Sequence, residues 1–364
     1  MAKTKKSNQI ENEELDKFLE RMYGEGVMET ADKALAPRSC EVLHGPLSLD
    51  IALNGGLAGG SICLITGKPK VGKSSLCLEF IKNAQQQNRP TFYINIERRC
   101  TPSLLGTIQG LDTTKLQVIP SQMDKPLTAE DYLNIIESII KTQPRALIVV
   151  DSLAMLSTMV EQEETIGANK DMGGTAKLIS SFFRRMQQII DANNVIVIFI
   201  SQLISNRSPH GKKWIEKGGI AIQYACSTWL TVAWIKPWEK NVETNAPDGH
   251  DLMITVNSSA MGRPFLPCVL PLRYGTGIDN IRDVTINAEN LGLIEKKGSW
   301  YVIPLFAKNE EDSPKYQGLG KLANFFKDNP DKLKRLEREI RDIVLPQTKK
   351  ENIGDNIDRE NLIN

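Results

Sequence analysis

Short apolar segments alternate with segments of helical periodicity from about Leu43 to Arg273. The apolar segments include SICLITG, TFYINIE, ALIVVDS and VIVIFIS, and the helical ones include SSLCLEFIKNA and AEDYLNIIESIIK. Parallel strands need a crossover between them, usually a helix, so this alternation predicts a mainly parallel sheet with helices on its faces. The strands are apolar throughout rather than at every second residue, which indicates burial on both sides. The predicted fold class is α/β.

The pattern changes on either side of this core. Downstream, CSTWLTVAWI, LMITVNSS and FLPCVLPLRY follow one another closely and predict antiparallel strands added to the sheet. A small α/β unit with the helical stretch LANFFKDNPDKLKRLEREIRDIVL comes next. The predicted organisation is an N-terminal helix and linker (1–38), the core (39–277), a small C-terminal domain (278–346) and a disordered polar tail (347–364).

The N-terminal helix is predicted from apolar residues at helical spacing between Leu15 and Tyr23, ended by Gly24 and Gly26. It could pack on its own domain or dock on another subunit, and the residues alone favour neither. The N-terminus lacks the apolar region of a signal peptide, and no stretch reaches the roughly 18 apolar residues of a membrane span. We therefore expect a soluble protein that is not exported.

Charge and cysteine usage narrow the possible partners. The formal net charge of +1 excludes a globally basic nucleic-acid binder, so any contact with phosphates must come from local clusters of Lys and Arg. The six cysteines are scattered without CxxC pairs. This distribution is typical of buried thiols in a reducing compartment, with neither a disulfide nor a structural zinc site.

A phosphate-binding motif lies between an apolar strand and a helical pattern. The residues GKPKVGKS, from Gly67 to Ser74, fit the spacing GxxxxGK[ST] in the context that a P-loop requires. Its glycines let backbone N–H groups turn toward phosphates, Lys73 neutralises the β- and γ-phosphates, and Ser74 ligates Mg²⁺. The motif predicts ATP and Mg²⁺ as cofactors. The residues assigned to the nucleotide are Gly67, Lys68, Pro69, Lys70, Val71, Gly72, Lys73, Ser74 and Ser75.

Polar residues follow other predicted strands at the edge of the sheet where ligands bind. Asp151 ends the strand ALIVV and is predicted to hold Mg²⁺ together with Ser74. Glu97 ends a second strand; it could orient and deprotonate the attacking water, or it could be a solvated residue at the start of a loop. Gln202 follows a third strand and could sense the γ-phosphate, although a glutamine in this position is unremarkable by itself.

A basic segment, Leu203–Lys217, comes directly after Gln202. A mobile basic loop with an aromatic residue suits contact with a single-stranded phosphate backbone and its bases, whereas the alternative is an ordinary solvated loop. The candidate DNA-binding residues here are Arg207, Lys212, Lys213, Trp214 and Lys217, followed by Gly218 and Gly219.

In order and wording the sequence resembles the bacterial RecA recombinase family, including its phage-encoded relatives. Besides the P-loop, Glu97 and the Gly218-Gly219 pair, the resemblance is carried by GPLSLDIAL from Gly45, VVDS from Val149, FISQ from Phe199, GLIEKKGSWY from Gly292 and FKDNP from Phe326. It implies a RecA-type P-loop ATPase core with an N-terminal arm and a small α/β C-terminal domain. Departures described below suggest a divergent, phage-borne (UvsX-like) member.

The resemblance implies an ATP-dependent recombinase that hydrolyses ATP in response to DNA. Such a protein forms helical filaments on single-stranded DNA and promotes homologous pairing and strand exchange with duplex DNA in recombination and repair. The implied partners are further copies of the chain, single-strand-binding proteins and mediator proteins. The implied location is the cytoplasm of a prokaryotic or phage-infected cell, with no membrane partner.

The resemblance also assigns roles by position. Glu97 becomes the catalytic base and Gln202 the γ-phosphate sensor, and both act with Lys73. The segment from about Glu163 to Met172 is similar to a first DNA-binding loop, and Leu203–Lys217 to a second. Further implied DNA contacts are Lys170, Met172, Gly173, Lys177 and Arg184, and implied subunit contacts are Phe18 in the arm and Tyr224.

The sequence departs from the family in three places. Arg98-Arg99-Cys100 follows Glu97, without the aromatic that stacks on adenine, so adenine recognition is open. The stretch Val256–Arg263 has lost two lysines that reach the γ-phosphate of the neighbouring subunit. Either Arg263 acts in their place, or turnover is weaker. The tail lacks a dense acidic cluster.

Two alternatives to the recombinase function stay open. One is a filament or mediator paralogue that binds ATP and DNA with little hydrolysis, and the other is a hexameric helicase.

Overall fold

The computed structural model describes residues 15–28, 30, 41–121, 126–163, 174–205, 214–216, 221–240, 244–307 and 313–345. The chain divides into two compact units, Met1–Cys40 and Glu41–Asn364. In the first unit, helix α1 (15–23) is present where the apolar spacing predicts it. Phe18 on this helix is half-exposed, and the Arg21 guanidinium lies 5.9 Å from the centre of its ring.

The second unit is built on a sheet whose central strands are parallel. They lie in the spatial order β9-β3-β7-β6-β4-β5, with every neighbouring pair parallel. This arrangement confirms the predicted α/β fold. The strands are β3 (Ser61–Gly67), β4 (Thr91–Asn95), β5 (Leu116–Pro120), β6 (Leu147–Asp151), β7 (Ile196–Ser205) and β9 (Thr228–Pro237).

The central strands are buried on both faces, as their continuous apolar character predicts. In β3, Cys63 and Ile65 pack into one hydrophobic cluster, and Ile62 and Leu64 pack into another on the opposite face. Successive side chains of a strand point to opposite faces, so every position is apolar where helices cover both. The helices in the described part of this region are α2 (Leu47–Leu53), α3 (Lys73–Gln86), α4 (Pro102–Leu105), α5 (Ala129–Thr142), α6 (Met159–Glu163), α7 (Gly174–Ala192) and α8 (Ala221–Ala225), and a 3₁₀ turn spans Leu153–Met155.

The antiparallel extension begins one strand later than the sequence predicts. β9, which contains most of CSTWLTVAWI, runs parallel to β3, with Cys63 opposite Thr228. The prediction that this segment is antiparallel is confirmed for its pairing with β10 and wrong for its pairing with β3, because α8 returns the chain to the edge where β3 also begins. The antiparallel strands are β10 (Gly249–Ser258), β11 (Leu266–Arg273) and β12 (Gly277–Ile278), and a separate small pair joins β1 (Val42–Leu43) to β2 (Leu57–Ala58).

The C-terminal part folds around its own hydrophobic cluster. Val284, Leu322, Phe326 and Ile340 are buried there together with Leu47 of α2. The domain boundary expected after residue 277 stays a prediction. No helix among the described residues is both long and apolar enough to cross a bilayer. The elements are α9 (Asn280–Asn290), β13 (Glu295–Lys297), β14 (Trp300–Val302), a 3₁₀ turn (Pro304–Phe306), β15 (Lys315–Gln317), α10 (Gly318–Asp328) and α11 (Pro330–Val344).

An ion pair joins this C-terminal part to α2. Asp50 is fully buried, accepts a hydrogen bond from the Gly45 backbone N–H at 2.7 Å, and lies 2.5 Å from the Arg341 guanidinium. Burial raises the pKa of Asp50, against the lowering effects of His44 and Arg341. Removing one partner of this pair would leave a buried charge uncompensated, so replacing Arg341 alone should destabilise the contact between α11 and α2.

Candidate nucleotide site

The phosphate-binding loop connects β3 to α3 at the carboxyl edge of the sheet. A side chain at Gly67 would place its Cβ 2.4 Å from the Val232 carbonyl oxygen of β9, so only glycine fits there. Gly72 has a left-handed backbone (φ 96°) and caps α3, which begins at Lys73. The first turn of α3 carries no acidic residue. Its free N–H groups and helix dipole therefore form a site for an anion.

Lys73 is held in this loop by backbone carbonyls. Its side chain is almost fully buried, and Nζ donates to Gly67 O at 3.0 Å and to Lys68 O at 2.7 Å. Burial, followed by the positive charge of Arg99, lowers the pKa of Lys73 to about 8, although the Asp151 and Glu97 carboxylates oppose the shift. The ammonium group is thus poised to exchange two carbonyls for a phosphate.

Ser74 and Asp151 lie together, as their predicted shared role requires. Ser74 Oγ donates to Asp151 Oδ2 at 2.8 Å, between the start of α3 and the end of β6. A hydroxyl and a carboxylate beside a phosphate site are the oxygen ligands that Mg²⁺ uses with bound nucleotides. These residues fit the ion, which would supply positive charge to the phosphates when bound.

Tyr93 also contacts Asp151, a contact that the sequence reasoning missed. Its hydroxyl donates to Asp151 Oδ2 at 2.6 Å from a fully buried position on β4. Burial and the nearby carboxylate raise the pKa of Tyr93 well above its ordinary value, so the phenol stays a donor. The sequence held one signal for this contact. Tyr93 lies two residues before Asn95 and so shares its face of β4, and Asn95 is the residue that pairs with Asp151 of β6.

Glu97 gathers three side chains around its carboxylate. Oε1 accepts hydrogen bonds from Gln202 Nε2, at 2.7 Å, and from Ser152 Oγ. Oε2 lies 2.5 Å from Arg99 Nε but has no aligned hydrogen-bond donor among the described residues. The side chain of Glu97 is only 5% exposed. The structure therefore joins Glu97 and Gln202, which the sequence predicts as separate features, and adds Ser152 and Arg99.

The strand that carries Gln202 is longer than predicted. β7 continues to Ser205, and a short strand β8 (Trp214–Glu216) pairs with it in antiparallel register, Leu203 opposite Glu216. The prediction of an uninterrupted loop over Leu203–Lys217 is therefore wrong at residues 203–205 and 214–216, where backbone pairing closes the segment into a hairpin. The predicted DNA contacts Arg207, Lys212, Lys213, Lys217, Gly218 and Gly219 lie outside the described residues.

Two predicted DNA contacts lie on the exposed face of α7. Lys177 and Arg184 are both exposed and seven residues apart, which places them on the same side of a helix. Arg185 is engaged by both oxygens of Glu137 at 3.1 Å, whereas Arg184 forms no ion pair with a described residue. Lys170, Met172 and Gly173 fall in a segment that the structure does not describe.

Arg263 and Tyr224 are both exposed residues of the second unit. Arg263 is exposed between β10 and β11, in a cleft of about 500 Å³ that Asn54 and Met261 also line. Within the described part of the chain it makes no contact with Glu97 or Lys73. Tyr224 on α8 is 86% exposed. The subunit roles of Arg263, Tyr224 and Phe18 therefore stay predictions.

A P-loop after one parallel strand, an acid at the end of a second parallel strand of the same sheet and a Glu97–Gln202 pair beside them define a P-loop nucleotide-binding protein. Residues 11–279 match the family model of the RecA N-terminal domain. The chain is 30% identical to Protein RecA of Wigglesworthia glossinidia brevipalpis over 91% of this chain and 95% of that protein. It is 28% identical to Protein RecA of Xanthomonas euvesicatoria over 94% and 96%, and 27% identical to that of Thermosynechococcus vestitus over 89% and 86%.

The chain therefore belongs to the RecA family of recombinases, which act in DNA recombination and repair. Members of this family are in general DNA-dependent ATPases that bind nucleotide with Mg²⁺ and assemble as filaments on DNA. The resemblance read from the sequence is confirmed, and so is the RecA-type core.

Proposed function

We propose that this chain is itself a DNA-dependent ATPase that forms helical filaments on single-stranded DNA in the ATP state and promotes homologous pairing and strand exchange. The observation that carries the proposal is the 2.7 Å hydrogen bond from Gln202 to Glu97. It connects the candidate hydrolytic base to β7, which continues directly into the basic hairpin. A movement of Gln202 at the nucleotide site can therefore be passed along the backbone of β7 to the DNA-binding segment that follows it.

Nucleotide binding would rest on the P-loop. The N–H groups at the start of α3 and the Lys73 ammonium bind the β- and γ-phosphates, with Lys73 releasing its two carbonyl partners. Ser74 and Asp151 would hold Mg²⁺, and Tyr93 keeps the carboxylate in orientation by its hydrogen bond. The cofactors of this chain are then ATP and Mg²⁺.

Hydrolysis would rest on Glu97. Oε1 is fixed by Gln202 and Ser152, which leaves Oε2 to orient a water and accept its proton. Gln202 is neutral, so it can exchange its bond to Glu97 for one to the γ-phosphate at little electrostatic cost. This exchange shifts β7 and the hairpin base at Leu203, which is how the nucleotide state would reach the DNA.

DNA binding would use two basic surfaces. Lys177 and Arg184 present two cations along one face of α7, and Lys212 and Lys213 directly precede β8 in the sequence. Contacts of this kind neutralise backbone phosphates without reading bases, so binding should depend strongly on salt but not on sequence. The homology search is then performed by the bound strand.

Assembly would join copies of the chain through the N-terminal arm with Phe18, through Tyr224, and through Arg263 acting on the neighbouring nucleotide. We further propose that single-strand-binding and mediator proteins assist loading. The chain would act in the cytoplasm of a prokaryotic or phage-infected cell, in keeping with its bacterial relatives.

The decisive test compares ATP turnover with and without single-stranded DNA. We expect stimulation by DNA, together with strand exchange that is supported by ATP. Lys73→Ala removes the phosphate-binding ammonium and should abolish ATP-dependent filament formation, whereas the exposed Lys115→Ala is a matched control that should behave as wild type. A turnover rate that DNA leaves unchanged would contradict the proposal, as would normal strand exchange by Lys73→Ala.

A further inference from the structure

The loop after Glu97 carries two adjacent arginines, and the roles proposed above use neither. Arg98 and Arg99 are both exposed residues, but they differ in their ion pairs. Arg99 Nε lies 2.5 Å from Glu97 Oε2, whereas Arg98 forms no ion pair with any described residue. Arg98 has a left-handed backbone (φ 55°), and this turn accompanies the return of Arg99 to the carboxylate two residues before it.

The backbone on both sides of Arg99 is held in place. Asn95 clamps Cys100, because its Nδ2 donates to Cys100 O at 3.1 Å and its Oδ1 accepts from Cys100 N at 3.0 Å. On the other side, the N–H groups of Ile96 and Glu97 donate to Asp151 O at 2.9 and 3.1 Å. The backbone of Arg99 is therefore fixed. Its side chain, which is 41% exposed, has room to move from Glu97 to another anion.

The charges around Arg99 indicate which partner this is. Arg99 contacts Glu97, the Glu97 N–H donates to Asp151 O, and Asp151 accepts from Ser74, the residue next to Lys73. These contacts place both cations at the edge of the sheet where the γ-phosphate is expected, and the charge of Arg99 accordingly lowers the pKa of Lys73. The anionic groups near them are the carboxylates of Glu97 and Asp151. A γ-phosphate beside Lys73 would carry more negative charge than the Glu97 carboxylate and would compete with it for the guanidinium.

Resting on the proposed function of this site, we propose that Arg99 is a catalytic cation supplied by the same subunit that binds the ATP. Without nucleotide, Arg99 covers Glu97 Oε2. When the γ-phosphate arrives, the guanidinium moves to it and uncovers that oxygen for the attacking water. Glu97 keeps its place during this exchange, because the Ser152 hydroxyl still holds the other oxygen when Gln202 turns to the γ-phosphate.

The chemical step then balances within the site. The water oxygen forms a bond to the γ-phosphorus as the bond from that phosphorus to the bridging oxygen of ADP breaks, and the electron pair leaves with ADP. Glu97 Oε2 accepts the proton of the water. Arg99 gives no proton and stabilises the negative charge that develops on the γ-phosphoryl oxygens. This role would substitute for cations that the chain lacks around residues 256–262.

The test compares three variants: Arg99→Gln, Arg99→Lys and the matched neighbour Arg98→Gln. The first readout is equilibrium affinity for ATP and for ADP. Because only ATP has a γ-phosphate, Arg99→Gln should weaken ATP binding about tenfold or more and leave ADP binding unchanged. The second readout is turnover with single-stranded DNA, which should fall about 100-fold or more, as for loss of one preorganised donor to a developing charge.

Arg99→Lys keeps the charge but loses the planar fork, so it should recover part of both losses. Arg98→Gln should match wild type in both readouts. The proposal is overturned if Arg99→Gln binds ATP and ADP as wild type does, or if its turnover rises, since a rise would mean that Arg99 only restrains Glu97. If instead the wild-type chain shows no DNA-stimulated turnover, or Lys73→Ala retains ATP binding, the proposed function itself has failed.

Discussion

Tyr93→Phe isolates a single hydrogen bond at the candidate Mg²⁺ site. The change removes only the hydroxyl that donates to Asp151 Oδ2 at 2.6 Å from a fully buried position. A hydrogen bond to an ionised group contributes about 1.5–3 kcal/mol. Asp151 keeps its bond from Ser74, so the loss should fall at the lower end, about 1.5 kcal/mol.

This loss should appear in two measurements. The melting temperature of the nucleotide-free protein should fall by roughly 3 °C, the shift expected for such a loss in a large domain. ATP binding can be followed as Mg²⁺ is added, and the Mg²⁺ concentration at the midpoint of this titration should rise about tenfold. The reason is that removing a group that orients a metal ligand costs about 10- to 100-fold in metal affinity. ATP affinity measured without Mg²⁺ should not change, because Tyr93 does not contact the loop that holds the phosphates.

The matched control is Tyr132→Phe, which removes a hydroxyl from a buried tyrosine on α5, away from Asp151. It should leave the Mg²⁺ dependence of ATP binding as in wild type. The reasoning would be refuted if Tyr93→Phe lowered the melting temperature but left the Mg²⁺ midpoint unchanged. In that case Tyr93 would only fill space in the core.

Three further predictions concern charge. ATP affinity should fall as pH rises past about 8, because the pKa of Lys73 is lowered to about 8 and only the ammonium form neutralises phosphate; constant affinity to about pH 9 would contradict this. Replacing Lys212 and Lys213 by Ala should weaken binding to single-stranded DNA and reduce the slope of log affinity against log salt by about 1.4, measured by titration at several salt concentrations. Burial raises the pKa of Asp283 from 3.8 to about 6. The folded protein therefore binds this proton more tightly than the unfolded chain, and the stability from it is full below about pH 4 and lost as pH rises through about 6. Denaturant unfolding should show that Asp283→Asn lacks this part of the pH dependence.

The family-level features could be read from the sequence because their physical cause is local. The P-loop is contiguous from Gly67 to Ser74, and its requirements for glycine, lysine and a hydroxyl hold wherever a strand leads into a helix. Continuous apolar strands separated by helical periods likewise specify a doubly covered parallel sheet. Asp151 could be placed because carboxyl ends of parallel strands share one edge.

Other features depended on contacts between distant parts of the chain. The parallel pairing of Thr228–Pro237 with β3 was not predicted, since an apolar strand has the same composition whichever way it pairs. The extension of β7 to Ser205 depended on pairing with Trp214–Glu216, a partner that periodicity within one segment does not identify.

The sequence by itself determined that this protein is a RecA-type P-loop protein, because the residues that bind phosphate and those that build the sheet are defined by spacing along one segment. Only the tertiary structure decided which residues of the site form hydrogen bonds with one another. Gln202 and Glu97 are 105 positions apart, and Tyr93 and Asp151 are 58 apart. Tyr93 and Asp151 lie on the adjacent strands β4 and β6, whereas Gln202 on β7 reaches Glu97 across the end of β6. Strand order and register bring such residues within hydrogen-bond distance, and both are relations between segments that no single segment contains.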